Sequence, residues 1–420
     1  MTPCSAPRSR RWIAFFALLA PPLAGIADAQ PQIDLPASPD EPKPAVAKPA
    51  AIDLPRETQI EVSLGQSANR TGTAIGGYGE IVLNAPDDQQ PTTIDLRRFV
   101  LFVGHNFTER LRLYAELEIE HAVSSASDKG EVEVEQAFLD YLGWRPLNFR
   151  VGLLIIPVGI VNVYHEPTTF NGADRPDTDL YIIPSTWREL GAGIFGALGP
   201  LRYQAYAVTG FDARGFTADG LRGGHQEGQF ARAHDWAVVG RLDWTPLAGL
   251  DFGLSGYRGN SGQGDQAIGS VPVTMVEADA RMRWRGLEAR GEFANVWITG
   301  TPLLNTQFDD GTVMGGPVSH QLRGGYLEVG YDLFHPLKQR LKYASALVAF
   351  ARYERTDTQV DVRFHDRAFG HDREAITGGL TFRPIAEVVL KLDYQRRSVD
   401  IAAGERHGWN QVNAGVGFVF

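Results

Sequence analysis

The sequence has little of what usually holds an exported protein or a helical membrane protein together. Its single cysteine is Cys4, so a chain that loses its first residues can form no disulfide, although exported soluble proteins often depend on disulfides. Beyond residue 30 there is no run of about eighteen apolar residues, which a membrane-spanning helix needs. A strand of a membrane barrel needs only about ten alternating residues. The absence of long apolar runs therefore excludes membrane helices and leaves a membrane β-sheet open.

Lysine is also scarce. The formal net charge is −10, and an acidic chain argues against nucleic acid as a partner. Arginine carries nearly all of the positive charge, because the chain has only these lysines: Lys43, Lys48, Lys129, Lys338, Lys342 and Lys391.

The N-terminal residues have the pattern of a secretory signal. Arg8, Arg10 and Arg11 precede the apolar segment IAFFALLAPPLAGI, and the small residues of 27–29 form a cleavage site. We predict a signal peptide over 1–29. The following segment, 30–73, is rich in proline and alanine and has no periodicity, so it cannot bury a core; we predict a periplasmic N-terminal segment there.

From residue 74 to residue 420 the chain alternates between apolar and polar side chains. The segment Leu111–Glu120 alternates strictly, and so does the segment 387–395. A period of two is the signature of a half-buried β-strand. The pattern predicts strands over 74–83, 93–106, 110–121, 131–144, 147–157, 190–198, 201–210, 235–244, 250–258, 274–285, 287–298, 322–332, 343–354, 374–383, 386–397 and 409–420.

The connections between these strands alternate in length. Short turns at one end and long loops at the other end are the layout of an outer-membrane barrel, whereas a soluble sandwich has no reason to sort its loops in this way. We therefore predict an all-β fold, a transmembrane antiparallel β-barrel of about 16 strands with both termini at the short-turn end. The predicted long loops are 122–130, 158–189, 211–234, 259–273, 299–321, 355–373 and 398–408.

The longest of these loops, 158–189, carries opposed charges and several aromatic and proline residues. Loops of this length usually have a function. We predict that it folds into the barrel as a constriction loop, while a surface loop of a soluble β protein is the alternative. Its candidate site residues are His165, Glu166, Asp174, Arg175, Asp177, Asp179, Arg188 and Glu189.

The end of the chain and the aromatic residues agree with a barrel. The last strand places Val412, Val416 and Phe420 on one face, and a terminal strand ending in an aromatic residue resembles the signal that the outer-membrane barrel assembly machinery reads. A lower interfacial girdle of aromatic residues is expected near the short turns. Its candidates are Trp144, Trp244, Trp284, Tyr331, Tyr343 and Phe382.

Over about 74–420 the chain resembles the phosphate-selective porin O and P family and other sixteen-strand bacterial porins. The resemblance implies a homotrimeric outer-membrane channel whose third long loop folds inside, in contact with outer-membrane lipid and lipopolysaccharide. It is carried by Gly77–Ile81, Arg97-Arg98, Phe149–Gly152, Pro157–Gly159, Trp187–Gly193, Gly240–Leu250, Gly379–Pro384 and Leu390–Tyr394.

The alternation also predicts the side chains that line the pore. They are Arg202, Arg241, Asp243, Glu277, Asp279, Arg281, Arg283, Arg285, Arg290, Glu292, Glu328, Lys391 and Asp393. Lysine clusters draw the anion into the phosphate-selective members, and because lysine is scarce here, phosphate selectivity does not carry over. The facing of Arg98, Phe138 and Leu139 stays undetermined, since the alternation slips there.

A second acidic group lies near one long-loop edge, where we expect it to bind divalent cations that bridge lipopolysaccharide. It consists of Glu116, Glu118, Glu120, Glu131, Glu133 and Glu135.

These patterns favour a porin for passive diffusion of small hydrophilic solutes or ions, with anions as one option, and no cofactor. The alternatives are a closed outer-membrane barrel that acts as an adhesin or scaffold, and an outer-membrane enzyme. Catalysis lacks support because there is no G-x-S-x-G elbow, and His165-Glu166 lacks the second histidine of a zinc protease motif. The ten histidines show no ligand spacing, so no metal site is predicted.

Overall fold

The computed structural model describes residues 72–122, 130–306, 316–337 and 345–420, all within the unit Asp53–Phe420. The predicted signal peptide 1–29 and all but the last two residues of segment 30–73 lie outside the described residues. No helix in the described ranges combines the length and the apolar composition that a bilayer crossing demands.

Sixteen antiparallel strands form a closed barrel in which every strand pairs with its neighbours in sequence. Strand β1 pairs with β16, so the sheet has no free edge. The predicted fold is confirmed. The strands are β1 (Gly72–Pro86), β2 (Thr93–Asn106), β3 (Leu111–Glu120), β4 (Val132–Trp144), β5 (Leu147–Ile155), β6 (Arg188–Leu198), β7 (Leu201–Thr209), β8 (Trp236–Leu247), β9 (Leu250–Asn260), β10 (Pro272–Trp284), β11 (Leu287–Ile298), β12 (Gln321–Asp332), β13 (Ala346–Asp361), β14 (Asp372–Ile385), β15 (Val388–Ala402) and β16 (Glu405–Val419).

Helical structure in the described part of the chain is confined to short segments. They are a π-helical turn, Thr178–Ile182, three 3-10 turns, Ala213–Gly215, Arg222–Gly224 and His335–Leu337, and one α-helix, α1 (Thr301–Thr306).

The wall of the barrel is apolar outside and polar inside. On β15, Leu392 is 53% exposed and its outward neighbour Tyr394 is 51% exposed, while inward Lys391 and Asp393 are buried. A soluble protein rarely exposes a continuous apolar band, whereas lipid tails cover such a band in a membrane barrel.

Aromatic residues mark the short-turn end of this band. Trp144, Trp244, Trp284 and Tyr331 are all exposed and lie at or near strand ends beside short turns, as the girdle prediction required. Phe382 packs edge-on against Phe334. Tyr343 lies outside the described residues.

Two β-bulges explain why the alternation slips. In β2 the partners of Glu80 and Ile81 are Arg98 and Leu96, so Arg97 is an extra residue. In β4 the partners of Glu116 and Leu117 are Gln136 and Val134, which makes Glu135 the extra residue. A bulge places two consecutive residues on nearly the same side of a strand. Arg98 and Phe138 are consequently buried toward the lumen, and Leu139 is exposed on the outside.

Three loop boundaries differ from the prediction. Strands β15 and β16 extend to Ala402 and Glu405, so 398–408 is a hairpin closed by residues 403–404. Gly404 adopts φ +80° there, which favours glycine. The outward residues of this hairpin, such as Arg396 and Arg406, are polar, so alternation continues without an apolar face. The loop 355–373 likewise shortens to 362–371.

The third boundary concerns the predicted constriction loop. Arg188 and Glu189 are not loop residues, because they pair with Ile155 and Leu154 as the first residues of β6. The segment that leaves the wall is therefore 156–187, and it is called the inserted loop below.

Candidate functional site

The inserted loop leaves and rejoins the wall at one clamped point. The amide of Ile156 donates to the carbonyl of Trp187 at 2.9 Å. Asn162 fastens both ends, since its Nδ2 donates to the Ile156 carbonyl at 2.7 Å and its Oδ1 accepts from the Trp187 amide at 2.9 Å. These hydrogen bonds hold the two ends of the loop together, and this pair of ends is the base of the loop.

From this base the loop crosses the lumen to the opposite wall. The amide of Ala173 donates to Asp393 of β15 at 2.7 Å. Asp177 pairs with Arg397 of β15 at 2.7 Å, and Asp174 pairs with Arg97 of β2 at 2.9 Å. The third long loop therefore lies inside the barrel, as predicted.

Wall glycines allow this close approach. A Cβ on Gly417 of β16 would lie 2.6 Å from Pro167, and one on Gly324 of β12 would lie 2.7 Å from Ile182. Real Cβ atoms do not approach other heavy atoms so closely. The loop backbone thus packs directly against the sheet at these two points.

A second loop also folds inward, which the sequence reasoning missed. Trp187 stacks on Phe211 of the β7–β8 connection with ring centroids 4.7 Å apart, and it packs against Tyr257 of β9 at 4.9 Å. Phe216 and Leu221 are buried in the same cluster. Apolar residues thus fill part of the long-loop end of the lumen. The apolar residues within 211–221, a segment flanked by glycines, were the available signal.

The predicted pore-lining residues of β8 and β10 form one buried ion network. Arg241 lies 2.6 Å from Asp279, 2.9 Å from Asp243 and 3.4 Å from Glu277. The Arg241 guanidinium thus pairs with three carboxylates, one from its own strand β8 and two from β10. Arg241 also donates to the Gly159 carbonyl at 3.4 Å, which joins this network to the inserted loop. Glu292 of β11 accepts from the neighbouring Ile160 amide at 3.2 Å.

A second network lies on β11–β13. Arg290 pairs with Glu328 at 2.6 Å, and Arg352 lies 3.1 Å from Glu354 and 3.6 Å from Glu328. Arg352 was not among the predicted residues, although it occupies an inward position between Phe350 and Glu354. Lys391 stands 3.6 Å from the ring centroid of Phe170, a cation–π contact.

Arginines dominate the lumen near the short turns. Among the described residues, two cavities of about 390 and 60 Å³ there are lined by eight arginines and four carboxylates. Arg202, Arg281 and Arg283 were predicted to line the pore; Arg285 instead lies in the β10–β11 turn, outside the strand, where alternation does not set its direction. The arginines are Arg112, Arg145, Arg150, Arg202, Arg281, Arg283, Arg290 and Arg383. The carboxylates are Asp140, Asp243, Glu288 and Glu328.

The acidic group expected to bridge lipopolysaccharide is placed differently. Glu116, Glu118 and Glu135 are buried, and Glu133 pairs with the buried Arg188. These carboxylates face the lumen, because Glu116 and Glu118 share the inward parity of Tyr114 and the bulge turns Glu135 inward. The expectation of a lipid-facing cation bridge at these four residues is wrong.

The remaining predicted loop residues are spread over several sites. His165 lies 2.9 Å from Glu135 and 3.9 Å from Glu116. Burial alone lowers the pKa of His165, but Glu135 and Glu116 outweigh it and raise that pKa to about 10. Arg175 donates to the His165 carbonyl at 3.3 Å. Glu166 is buried, and its backbone carbonyl accepts from Thr169.

Asp179 lies where the inserted loop meets β11. Burial raises the pKa of Asp179 to about 7, although Arg290 and Arg175 act in the opposite direction. Glu292 of β11 lies beside it, next to Gly159.

We expect this carboxyl to make the folded state less stable as the pH rises. Its pKa is higher in the folded chain than the ordinary value of 3.8, so the folded state holds the proton more tightly, and the stabilisation is lost between about pH 4 and 7. The urea midpoint of the barrel should therefore fall more steeply from pH 5 to 8 in the wild type than in Asp179→Asn. Parallel pH profiles for the two proteins would contradict this assignment.

The chain is 32% identical over 360 residues to a protein of Aquifex aeolicus (strain VF5) described as uncharacterised, covering 82% of this chain and 81% of the relative. The chain belongs to the family of this Aquifex protein. No protein-family model matches the chain, so a place in the phosphate-selective O and P family remains a prediction.

Solved structures share the architecture at low identity. An anion-selective porin from Comamonas acidovorans superposes with a TM-score of 0.51 at 10% identity, covering 84% of this chain and 100% of that one. The outer membrane channel DcaP of Acinetobacter baumannii gives 0.51 at 12%, with coverages of 83% and 97%. A loop-deletion mutant of OmpT, an outer membrane protein of Vibrio cholerae, gives 0.51 at 13%, with 83% and 99%. At these identities the likeness establishes a porin-type barrel fold.

Proposed function

We propose that the chain is an outer-membrane porin through which small hydrophilic solutes and ions diffuse passively, with a preference for anions. The observation that carries this proposal is the lining of the lumen near the short turns, where eight arginines among the described residues face four carboxylates. An excess of one sign of charge in a narrow aqueous space raises the local concentration of the opposite ions.

Ion pairing with carboxylates decides which arginines contribute to the excess positive charge of the lumen. Arg241 and Arg352 are neutralised by adjacent carboxylates at 2.6 and 3.1 Å. Their charges therefore stabilise the barrel wall and do not attract solutes. Arg283 and Arg383 have no carboxylate within ion-pair distance among the described residues, and both line the same cavity. Apolar solutes lose hydration water in such a channel without compensating contacts, which favours polar ones.

The inserted loop is the constriction in this proposal. Its contacts with Asp393, Arg397 and Arg97 span the lumen, so solutes pass only beside it. The loop thereby sets the size limit, and no energy source is needed. Catalysis has no part in this proposal.

The proposed location, export signal and oligomeric state accord with a porin. The exposed apolar band with its aromatic girdle supports a place in the outer membrane. Residues 1–29 act as the cleaved export signal, and the last strand, ending in Phe420, is the segment offered to the barrel assembly machinery. We infer a homotrimer from the resemblance to porins. Phosphate selectivity is not proposed, because Lys391 is the one lysine in the described ranges and it is buried.

One observation favours a second candidate function. The apolar cluster around Trp187, Phe211 and Phe216 fills part of the long-loop end, which is the arrangement expected of a closed barrel that acts as a scaffold or adhesin. Planar-bilayer recording separates the two functions. Steady open steps support the porin, and a silent bilayer with correctly folded protein supports the scaffold.

Reversing the charge of Arg281 and Arg283 is expected to shift ion selectivity toward cations. Two unit charges about 8 Å apart interact by about 0.5 kcal/mol in water, and the double Arg→Glu change alters four units of charge. With screening at about 0.1 M salt, the anion-to-cation permeability ratio should fall about three- to tenfold. Reversal potentials across a potassium chloride gradient measure this ratio.

A matched control has the same charge change on the outer wall. Arg258 and Arg396 are exposed and face outward, so their double Arg→Glu variant should keep the wild-type reversal potential. An equal shift in both variants would show that net charge, not the lumen lining, sets selectivity.

A further inference from the structure

The inserted loop meets β3 and β4 at a buried cluster of oxygen and nitrogen donors. One donor atom each from Glu116, Glu135 and His165 lies within 4.8 Å of the others. The three side chains are at most 3% exposed. They come from a strand, a β-bulge and a loop, so no residue spacing in the sequence predicts that they lie together.

The histidine is oriented as a metal ligand usually is. Its Nδ1 lies 3.1 Å from the Asn162 carbonyl, and because a carbonyl only accepts, Nδ1 carries the hydrogen. Nε2 is then directed at the two glutamates. Metal-bound histidines typically fix their second nitrogen in this way, and Asn162 is itself held at both ends of the loop.

One of the two carboxylates is also fixed by a neighbouring side chain. Gln136 donates to Oε2 of Glu116 at 2.5 Å, which leaves Oε1 facing the cluster. The bulge in β4 turns Glu135 into the lumen beside it. Glu116 thus offers one free oxygen to the cluster, and both carboxylate oxygens of Glu135 are buried without a hydrogen bond in the described part of the chain.

Neighbouring polar groups lack hydrogen-bond partners in the described part of the chain. Both carboxylate oxygens of Glu118 and the hydroxyl of Tyr78 are buried without a hydrogen bond. The charge of Glu118 interacts with that of Glu135, and the Tyr78 ring stands edge-on to His165 with centroids 6.0 Å apart. Buried groups of this kind are costly unless something satisfies them.

The charge of the site also favours a bound cation. Arg98 pairs with Glu80 at 2.9 Å and lies 3.6 Å from Glu118, and Arg175 bonds the His165 backbone. Four carboxyl groups thus share two guanidinium groups, and this excess of acidic side chains suits a bound cation. The carboxylates that set this balance are Glu80, Glu116, Glu118 and Glu135.

We propose that Glu116, Glu135 and His165, with Glu118 beside them, bind a divalent transition-metal ion of the Zn²⁺ or Mn²⁺ class. Ligands of a tetrahedral Zn²⁺ at about 2.0–2.2 Å stand about 3.3–3.6 Å apart, and the donor atoms here need only small shifts to reach that spacing. Mixed imidazole and carboxylate donors suit these metals. The ion ties the inserted loop to β3 and β4. This binding does not depend on whether the barrel conducts.

Metal titration of the folded barrel tests the site. Full-length protein is stripped with a chelator, folded in detergent and titrated with Zn²⁺ and, separately, Mn²⁺, with the bound metal measured by elemental analysis. We expect about one ion per chain in the wild type. Glu135→Gln and His165→Gln should each lower the affinity at least about 100-fold, since even residues that only orient ligands cost 10–100-fold.

Two variants serve as matched controls. His320 is a buried histidine whose Nδ1 also bonds a backbone carbonyl, at 2.6 Å from Ile298, and Glu277 is a buried glutamate of the Arg241 network. His320→Gln and Glu277→Gln should bind the metal as the wild type does.

A spectroscopic readout keeps the test decisive if one variant fails to fold. Bound Co²⁺ should give a visible d–d absorption in the wild type that Zn²⁺ displaces and that His165→Gln lacks. Folded wild-type protein that retains neither Zn²⁺ nor Mn²⁺ overturns the proposal. So does His165→Gln that binds as tightly as the wild type, because the ion then lies elsewhere.

Discussion

Removal of residues 166–184 should raise the single-channel conductance at least about threefold. Sixteen strands about 4.8 Å apart and tilted by about 40° enclose a cylinder about 32 Å in backbone diameter, and the inserted loop occupies much of its cross-section. The charged wall residues that the loop now covers would be hydrated by lumen water, so the barrel should still close. Conductance in planar bilayers, with the segment replaced by a short Gly-Ser linker, measures the effect.

A disulfide provides the control with the loop kept in place. A Cβ on Gly415 of β16 would lie 3.6 Å from the Cβ of Ala173, within the 3.5–4.5 Å that a disulfide needs. The double variant Ala173→Cys and Gly415→Cys should oxidise readily and keep the wild-type conductance. If the deletion leaves conductance unchanged, or if oxidation blocks the current, the inserted loop is not a fixed constriction.

Replacing Arg352 by methionine is expected to destabilise the barrel by roughly 3–5 kcal/mol. The side chain of Arg352 is fully buried and lies 3.1 Å from Glu354 and 3.6 Å from Glu328. Its removal leaves the buried Glu354 without its ion-pair partner among the described residues, while Glu328 keeps Arg290. Breaking a buried pair on one side costs about this much. Urea unfolding in lipid vesicles measures the change.

The same strand offers a control on its outer face. Arg355 makes two hydrogen bonds to Asp372, at 2.8 and 3.0 Å, but its side chain is 56% exposed. Exposed ion pairs contribute only about 0–1 kcal/mol, so Arg355→Met should change stability little. Adding Glu354→Gln to Arg352→Met should recover part of the loss. An equal loss of stability in Arg352→Met and Arg355→Met would mean that burial in the lumen does not increase the contribution of an ion pair to stability.

Much of this fold could be predicted because period-two alternation and loop length are local properties. The strands β2 and β11 match their predicted bounds, and the closure of the barrel follows from the even number of strands and the sorting of the turns. The prediction failed where alternation carries no information. Bulges at Arg97 and Glu135 shift the facing of the residues after them, and polar alternation above the membrane does not distinguish a strand from a loop, as in 398–408.

The site was less accessible from the sequence than the fold. Alternation predicts that Arg241, Asp279 and Glu328 line the pore, and all three are buried. It could not say which of them have ion partners, since pairing depends on the register between strands. The contacts of the inserted loop depend on tertiary packing alone. The cluster of Glu116, Glu135 and His165 combines three separate segments, so only coordinates bring it together.

The long β15–β16 hairpin makes this protein a candidate carrier for foreign peptides. Apolar outward residues end at Tyr394 and Val412, and the strands continue to Ala402 and Glu405. The further residues of extended chain, eight on β15 and seven on β16, reach about 20 Å, so the turn at Gly404 stands clear of the lipid headgroups on two paired strands. An epitope inserted after Ala403 would be presented to antibodies on intact cells, with the barrel below it undisturbed.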